Sequence, residues 1–279
     1  MRDTGRSGFR VGVYVDVANM YFNGGRRMQY DALREFACRD GAEPLRLNAY
    51  ASYDAERAHE DVNYRDGINK FHSKLQDFGY KVIRKEVKWY QDDDKWYRKA
   101  NADLDLAVDV LLQSRSLDRI LIATGDGDFV RVVRALQNEG CRVEIVSLDN
   151  TSMDLRNEAD LFISGYLIPN VIPIDHNLEF NLNWGDVGSR VRGVCYRHGD
   201  RGFGFMRFMK KMNANLWLTD TRHPDSPFES VYFHDSSIIP RGFSFTSPST
   251  QNYIFEFELV ESNRTDGLEA INIKPISKL

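Results

Sequence analysis

Asp118-Arg-Ile-Leu-Ile-Ala-Thr-Gly-Asp-Gly-Asp-Phe-Val-Arg-Val-Val-Arg-Ala-Leu-Gln-Asn-Glu-Gly140, followed after Cys141 by Arg142-Val-Glu-Ile-Val-Ser147, decides the fold. Asp118–Ala123 reads as a short buried strand, apolar in its middle and rich in branched residues. Gly125 and Gly127 break it into an acidic turn. Phe129–Asn138 has helical spacing and stops at Gly140, and Arg142–Ser147 is a second buried strand. A strand, a helix and a strand within thirty residues predict parallel pairing with a crossover helix.

The same alternation extends upstream. Phe9–Val17 reads as a strand, Tyr30–Arg39 as a helix and Pro44–Tyr53 as a strand. Ala58–Phe78 reads as one long helix ended by Gly79, and Lys81–Val87 as a strand. Leu104–Gln113 reads as a helix capped by Asp103, with Leu104, Ala107, Val108 and Leu111 as its apolar face. Downstream, Ser152–Ala159 reads as a short helix and Leu161–Ile163 as a last strand. The expected first domain is therefore α/β, a parallel sheet with helices on both faces. Ligands of such sheets bind beyond the carboxyl ends of the strands.

Four acidic positions fall at such ends: Asp16, Asp103, Asp126 and Asp128. Each alone has an ordinary explanation as a helix cap. Their coincidence at three strand-end segments points instead to a site for a hard divalent cation, whose natural ligands are oxygens. Asp105 reads as solvated surface. Competing motifs are absent: Thr124-Gly-Asp-Gly-Asp-Phe129 has no Gly-Lys-Ser/Thr, so it is no phosphate loop, and Asp16-Val-Ala-Asn19 is no dinucleotide turn.

Composition narrows the class. The 279 residues are 42% hydrophobic and 28% charged, ordinary for globular protein. No apolar run approaches the roughly 20 residues needed to span a bilayer, and the first residues lack the apolar stretch of a signal peptide. Three cysteines with no Cys-x-x-Cys pair argue for a reducing, cytoplasmic setting. The net charge of −4 does not advertise a polyanion binder. Residues 183–279 hold 12 of the 37 basic and 11 of the 41 acidic residues, which leaves 25 against 30 upstream.

Residues 166–187, with Pro169, Pro173 and several asparagines, lack periodicity and read as a linker between residues 9–165 and 188–279. The last part is all-β: Ser189–Tyr196, Gly202–Phe208, Ser230–His234, Tyr253–Glu261 and Leu268–Lys274. Five short strands suit a small closed barrel of the OB-fold type. Strand alternation puts Phe203 and Phe205 on one face, and likewise Tyr232 and His234. Glycines beside the phenylalanines and the interleaved Arg207 favour an outward face, a stacking platform for unpaired bases. Lys81–Lys99 interleaves lysines and arginines with Trp89, Tyr90, Trp96 and Tyr97 and reads as a hairpin.

Asp16…Asn19, Lys99-x-x-x-Asp103…Asp109, Thr124-Gly-Asp-Gly-Asp-Phe129 and Ser152…Leu155…Ala159-Asp160 together resemble the NYN domain, in its LabA-like branch within the PIN-like nuclease superfamily. The resemblance covers about residues 9–165. It implies a Rossmann-like three-layer α/β/α fold and Mg²⁺- or Mn²⁺-dependent hydrolysis of RNA, expected to be endonucleolytic with exonucleolytic action left open. It assigns Asp16, Asp103, Asp126 and Asp128 to the metal, Asn19 to orienting the first aspartate or a phosphate, and Asp109, Thr124 and Lys99 to support. Ala100-Asn101-Ala102 lengthens the family's spacing after Lys99 by one residue.

Residues 188–275 resemble a cold-shock domain, on Arg201-Gly-Phe-Gly-Phe-Met206, Val231–His234 and the strands around Phe255 and Ile273. By that resemblance Tyr196, Phe203, Phe205, Tyr232 and His234 stack on bases, with Arg197 and Arg201 at phosphates. Tyr196-Arg197 replaces the family's Trp-Phe, and Met209–Glu229 is longer than usual. The expected partner is single-stranded RNA, with DNA left open because nothing in the sequence reads a 2′-hydroxyl. Oligomeric state is left open too, a homo-oligomer included. The rival reading is a non-catalytic RNA-binding regulator that uses the first domain as a scaffold.

Overall fold

The computed structural model describes residues 8–92, 95–99, 102–239, 252–262 and 267–279, with 88–92 and 95–99 followed as backbone only. Two compact units result, one of residues up to 26 and 33–163, the other of residues 27–32 and from 164 on.

The strands of the first unit are β1 Arg10–Asp16, β2 Glu43–Tyr53, β3 Lys81–Glu86, β4 Lys88–Asp92, β5 Lys95–Lys99, β6 Arg119–Ala123, β7 Arg142–Ser147 and, entering the second unit, β8 Leu161–Ser164. Its helices are α1 Val17–Phe22, α2 Tyr30–Ala37, α3 Ala55–Glu60, α4 Val62–Asp77, α5 Ala102–Gln113, α6 Val130–Asn138 and α7 Met153–Glu158. Six strands form one parallel sheet in the order β3-β2-β1-β6-β7-β8. The chain winds outward one way from β1 and the other way from β6, so the switch point lies between those neighbours. β4 and β5 pair as the expected antiparallel hairpin.

Near-continuous apolar strands fit burial on both faces. On one face Tyr14, Tyr50, Ile120, Ile122, Val143 and Ile145 meet Leu106 and Val110 of α5, Val133 and Leu136 of α6, and Leu155 of α7. On the other, α2 closes over β6 and β7. There Glu144, fully buried, receives Arg39 at 2.5 Å and Arg142 at 2.9 Å, while Arg119 Nη1 donates to Ala37 O at 3.2 Å. Burial alone would raise the Glu144 pKa, but the surrounding guanidinium groups outweigh it and pull it below the ordinary value.

Three expectations for the helices are corrected. The segment 58–78 is not one helix: Asp61 is extended (φ −114°, ψ 99°) and its carboxylate accepts from Tyr64 N–H, so a capping side chain overrides the helical period and splits α3 from α4. Asp103 does not cap α5 but lies inside its first turn, because the helix already begins at Ala102. The buried face of α5 is Ala102, Leu106 and Val110, whereas Leu104, Val108 and Leu111 face solvent. Hydrogen bonds set this rotation. Tyr50 donates to Asp109 Oδ2 at 2.8 Å and Tyr14 to Gln113 Oε1 at 3.0 Å, which turns those two polar residues toward the sheet. Burial, reinforced by Asp109, pushes the Tyr50 hydroxyl pKa up.

In the second unit β9 Arg190–Gly199, β10 Phe203–Met209, β11 Phe228–His234, β12 Tyr253–Glu261 and β13 Leu268–Lys278 close a barrel in the order β9-β10-β11-β13-β12. β11 and β13 are parallel at Tyr232↔Glu269 and the other pairs antiparallel, the topology of an OB-fold. Val191, Met206, Phe208, Val231, Phe233, Phe255, Phe257 and Leu259 fill it. Within 166–187 the chain forms α8 Asp175–Phe180. The Asn177 amide donates to Arg190 O and accepts from Arg190 N–H, both at 2.7 Å, as a strand partner's backbone would. Arg192 joins buried Glu256 to Ile172 O.

Tyr50→Phe leaves Asp109 without its buried donor. A loss of about 1–2 kcal/mol is expected, read as a lower urea midpoint at unchanged slope; an unchanged midpoint would show that this bond does not hold α5.

Candidate active site and nucleic-acid interface

β1 ends at Asp16, which is also the N-cap of α1: its Oδ1 accepts from Asn19 N–H at 3.0 Å. Thr124, directly after the neighbouring β6, donates from Oγ1 to Asp16 Oδ2 at 3.3 Å and accepts from Asp126 N–H at 3.3 Å. The Asn19 side chain reaches across the switch point and accepts from Gly125 N–H at 2.9 Å. Asp126 in turn caps the short turn of 3₁₀ helix that follows, accepting from Asp128 N–H at 2.9 Å. Five of the sequence-derived positions thus form one connected set, tied largely through backbone N–H groups.

The sequence reading assigned no role to a third loop, Asn150–Ser152. Ser152 N–H donates to Gly125 O at 2.9 Å. A side chain at Gly127 would come within 2.8 Å of Ser152 Oγ, so glycine is needed there for close approach. In sequence Ser152 is legible as a helix start and as part of the motif set that resembles the NYN domain, but its contact with the Gly125–Gly127 turn is tertiary.

Asp16 is 4% exposed, and its pKa is pushed up to about 6, first by burial and then by the charges of Asp103 and Asp126; the bonds from Asn19 and Thr124 act against the rise. Three acids from β1, α5 and the turn after β6 therefore lie within electrostatic reach of one another. Asp128 stands exposed at the outer edge. Asp109 is occupied by Tyr50, which makes it a positioning residue for α5, and Asp105 pairs with Lys85 at 2.8 Å. The Lys99 side chain lies outside the described residues.

The donor set fits a hard divalent cation: all-oxygen and negatively charged, with one carboxylate buried beside two further acids. Among the described residues no three carboxylate, imidazole or thiol groups converge closely enough to enclose an ion.

On the barrel, buried residues of β10 and β11 alternate with half-buried ones. Met206, Phe208, Val231 and Phe233 point inward, which turns Phe203, Phe205, Tyr232 and His234 outward. Phe203 stacks on Tyr232 at 6.1 Å, Phe205 meets Tyr232 edge-on at 6.0 Å, and Tyr196 lies 6.4 Å from Phe205. A register shift places Cys195 and Arg197 opposite consecutive residues of β10, so Tyr196 is the extra residue of a bulge and turns outward. Arg197 and Arg201 are exposed. His234 is tied down by Ser236, whose hydroxyl lies 2.8 Å from Nδ1. Two further members extend the patch: the Arg207 guanidinium lies over Tyr196 at 5.8 Å and over Phe228 at 5.6 Å.

One stability prediction follows from Asp16. Its proton is held more tightly in the folded than in the unfolded chain, so its stabilising contribution is complete below about pH 3.8 and is lost as pH rises through about 6. In EDTA, the unfolding free-energy advantage of Asp16→Asn over the native chain, read from urea titrations, should widen from pH 4 to pH 7, toward a ceiling of about 3 kcal/mol. A pH-independent difference would contradict it.

No helix among the described residues is long and apolar enough to cross a membrane. Over 162 residues the chain is 27% identical to the low amplitude and bright protein LabA of Synechococcus elongatus, covering 55% of this chain and 82% of that one. A crystal structure of a protein of unknown function from Vibrio parahaemolyticus aligns at a TM-score of 0.47 with 25% identity, covering 59% of this chain and 96% of that one. Residues 10–173 match the NYN domain. With that match spanning more than half of its length, the chain belongs to the NYN domain family, whose members are generally nucleases.

Proposed function

We propose that this protein is a metal-dependent ribonuclease that cuts within single-stranded RNA, with the C-terminal barrel holding the substrate. The observation that carries the reading is Asp16: a buried carboxylate at the switch point of a parallel sheet, sharing its surroundings with the charges of Asp103 and Asp126. Such an arrangement is costly without a cation and useful with one.

Asp16, Asp103 and Asp126 hold Mg²⁺ or Mn²⁺ in this reading, with Asp128 at the outer edge. When bound, such an ion would supply an activated water and offset the charge that builds on the departing oxygen. Asn19 and Thr124 fix the distance between the ends of β1 and β6 and so keep Asp16 and Asp126 in register. Asp109 sets the rotation of α5 and through it the place of Asp103. Phe203, Phe205, Tyr232 and Tyr196 offer ring faces to unpaired bases, a mode tolerant of sequence. The three cysteines are free thiols, in keeping with work in the cytoplasm.

Two measurements test this. Asp16→Asn with Asp126→Asn should abolish Mn²⁺-dependent cleavage of labelled single-stranded RNA while leaving RNA affinity in EDTA unchanged. Undiminished cleavage would sink the metal site, and binding by the native chain without any cleavage would favour the scaffold reading. Phe205→Ala or Tyr232→Ala should weaken binding about five- to a hundredfold each, measured by fluorescence anisotropy with RNA and DNA strands of equal sequence. Wild-type affinity in both variants would remove the platform.

A further inference from the structure

The rim of the acidic site carries a feature that neither the sheet nor the carboxylates require. The helix α1 follows its cap Asp16 and is six residues long. Its inward residues are Val17 and Met20, while Tyr21 is 46% and Phe22 77% exposed. Their rings meet edge to face at 5.4 Å and 90°. The chain then folds back tightly: a side chain at Gly25 would lie 2.5 Å from Met20 O. That return brings the Arg26 guanidinium over the Tyr21 ring at 5.6 Å. The turn is pinned at the carboxyl edge of the sheet, since Asn23 O accepts from Asp149 N–H at 2.9 Å and Asn23 Oδ1 accepts from the Asn150 amide at 3.0 Å.

Two large exposed rings beside an exposed arginine, locked by a buried glycine and an asparagine pair, make a preformed surface rather than a scatter of apolar side chains. Its chemistry is specific. Ring faces with a guanidinium laid against them accept a flat heteroaromatic, and the cation answers the charge of an attached phosphate. Phe22 lies six residues beyond Asp16, about 9 Å along the helix, within reach of the nucleotide next to one held at the carboxylates.

We infer that Tyr21, Phe22 and Arg26 form a stacking subsite for an unpaired base adjacent to the scissile phosphate. The inference rests on the nuclease reading above. It gives the first unit its own grip on the strand, independent of the barrel, so that the cut falls at a defined step from a stacked base.

The test uses the full chain. Phe22→Ala, with the helix content and melting temperature of the native chain, should lower kcat/KM for Mn²⁺-dependent cleavage of single-stranded RNA by about ten- to a hundredfold, and Phe22→Trp should restore it. An abasic residue next to the cut position should cost the native chain a similar factor and cost Phe22→Ala little more. Unchanged kcat/KM in Phe22→Ala, with cleavage still abolished by Asp16→Asn, overturns the subsite and leaves the nuclease reading standing. Cleavage that survives Asp16→Asn overturns both.

Discussion

A carboxylate at the end of a buried strand must be satisfied without water, and most of the first unit is organised by how Asp16 meets that demand. Asn19 N–H and Thr124 Oγ1 are its partners. Each is also committed elsewhere: Asn19 to Gly125 N–H, and Thr124 to Asp126 N–H. The ends of β1 and β6 are thus clamped to each other by side chains instead of ladder bonds, at the place where the winding of the sheet reverses. Hydrogen bonds to the ionised form lower the cost of Asp16 but do not erase it, and the two neighbouring acids add to it. The stored cost is a few kcal/mol at most. It is concentrated at one point, where a cation can recover it.

The barrel meets the opposite problem with the opposite means. Glu256 is buried on β12 and takes Arg190, Arg192 and Lys274 together. Burial raises its pKa and the cations more than compensate, so it stays charged. Arg192 passes the interaction on to the Ile172 and Pro173 carbonyls, which fastens the segment before β9 to the barrel wall. One internal carboxylate is left short of positive charge and another is saturated with it. The contrast separates a site that has something to gain by binding from one whose work is structural.

The parts of this fold that were legible in sequence are those written locally. The β1, β6 and β7 segments announce themselves as buried runs, the Gly-Asp turn after β6 follows from residue type, and alternation on β10 and β11 predicts which rings face out. What stayed hidden is tertiary. The apolar pattern of α5 pointed to Leu104, Val108 and Leu111 as its inner face, yet two tyrosine hydroxyls on the sheet select the face carrying Asp109 and Gln113. Asp61 looks like one more polar residue in a helical period until its carboxylate is seen to cap Tyr64. The contacts of Ser152, Asn177 and Arg207 are likewise invisible locally, because their partners lie 27, 13 and 12 residues away or bracket them across a sheet.

Charge bookkeeping then constrains how such a chain can handle RNA. Many of its arginines are already engaged: Arg10 with Asp118, Arg39 and Arg142 with Glu144, Arg190 and Arg192 with Glu256, Arg222 with Asp220. With a net charge of −4, the chain as a whole carries no excess of positive charge to drive counterion release from a phosphate backbone. Affinity in the proposed function must come mainly from ring faces, at Tyr196, Phe203, Phe205 and Tyr232 on the barrel and at Tyr21 and Phe22 beside the acids. Stacking needs unpaired bases, so duplexes are disfavoured by the same physics that permits binding. The carboxylates repel the phosphodiester until a divalent ion intervenes. In the proposed function, substrate engagement at the acids and loading of the metal become one event, and a preference for single strands would follow from composition as much as from shape.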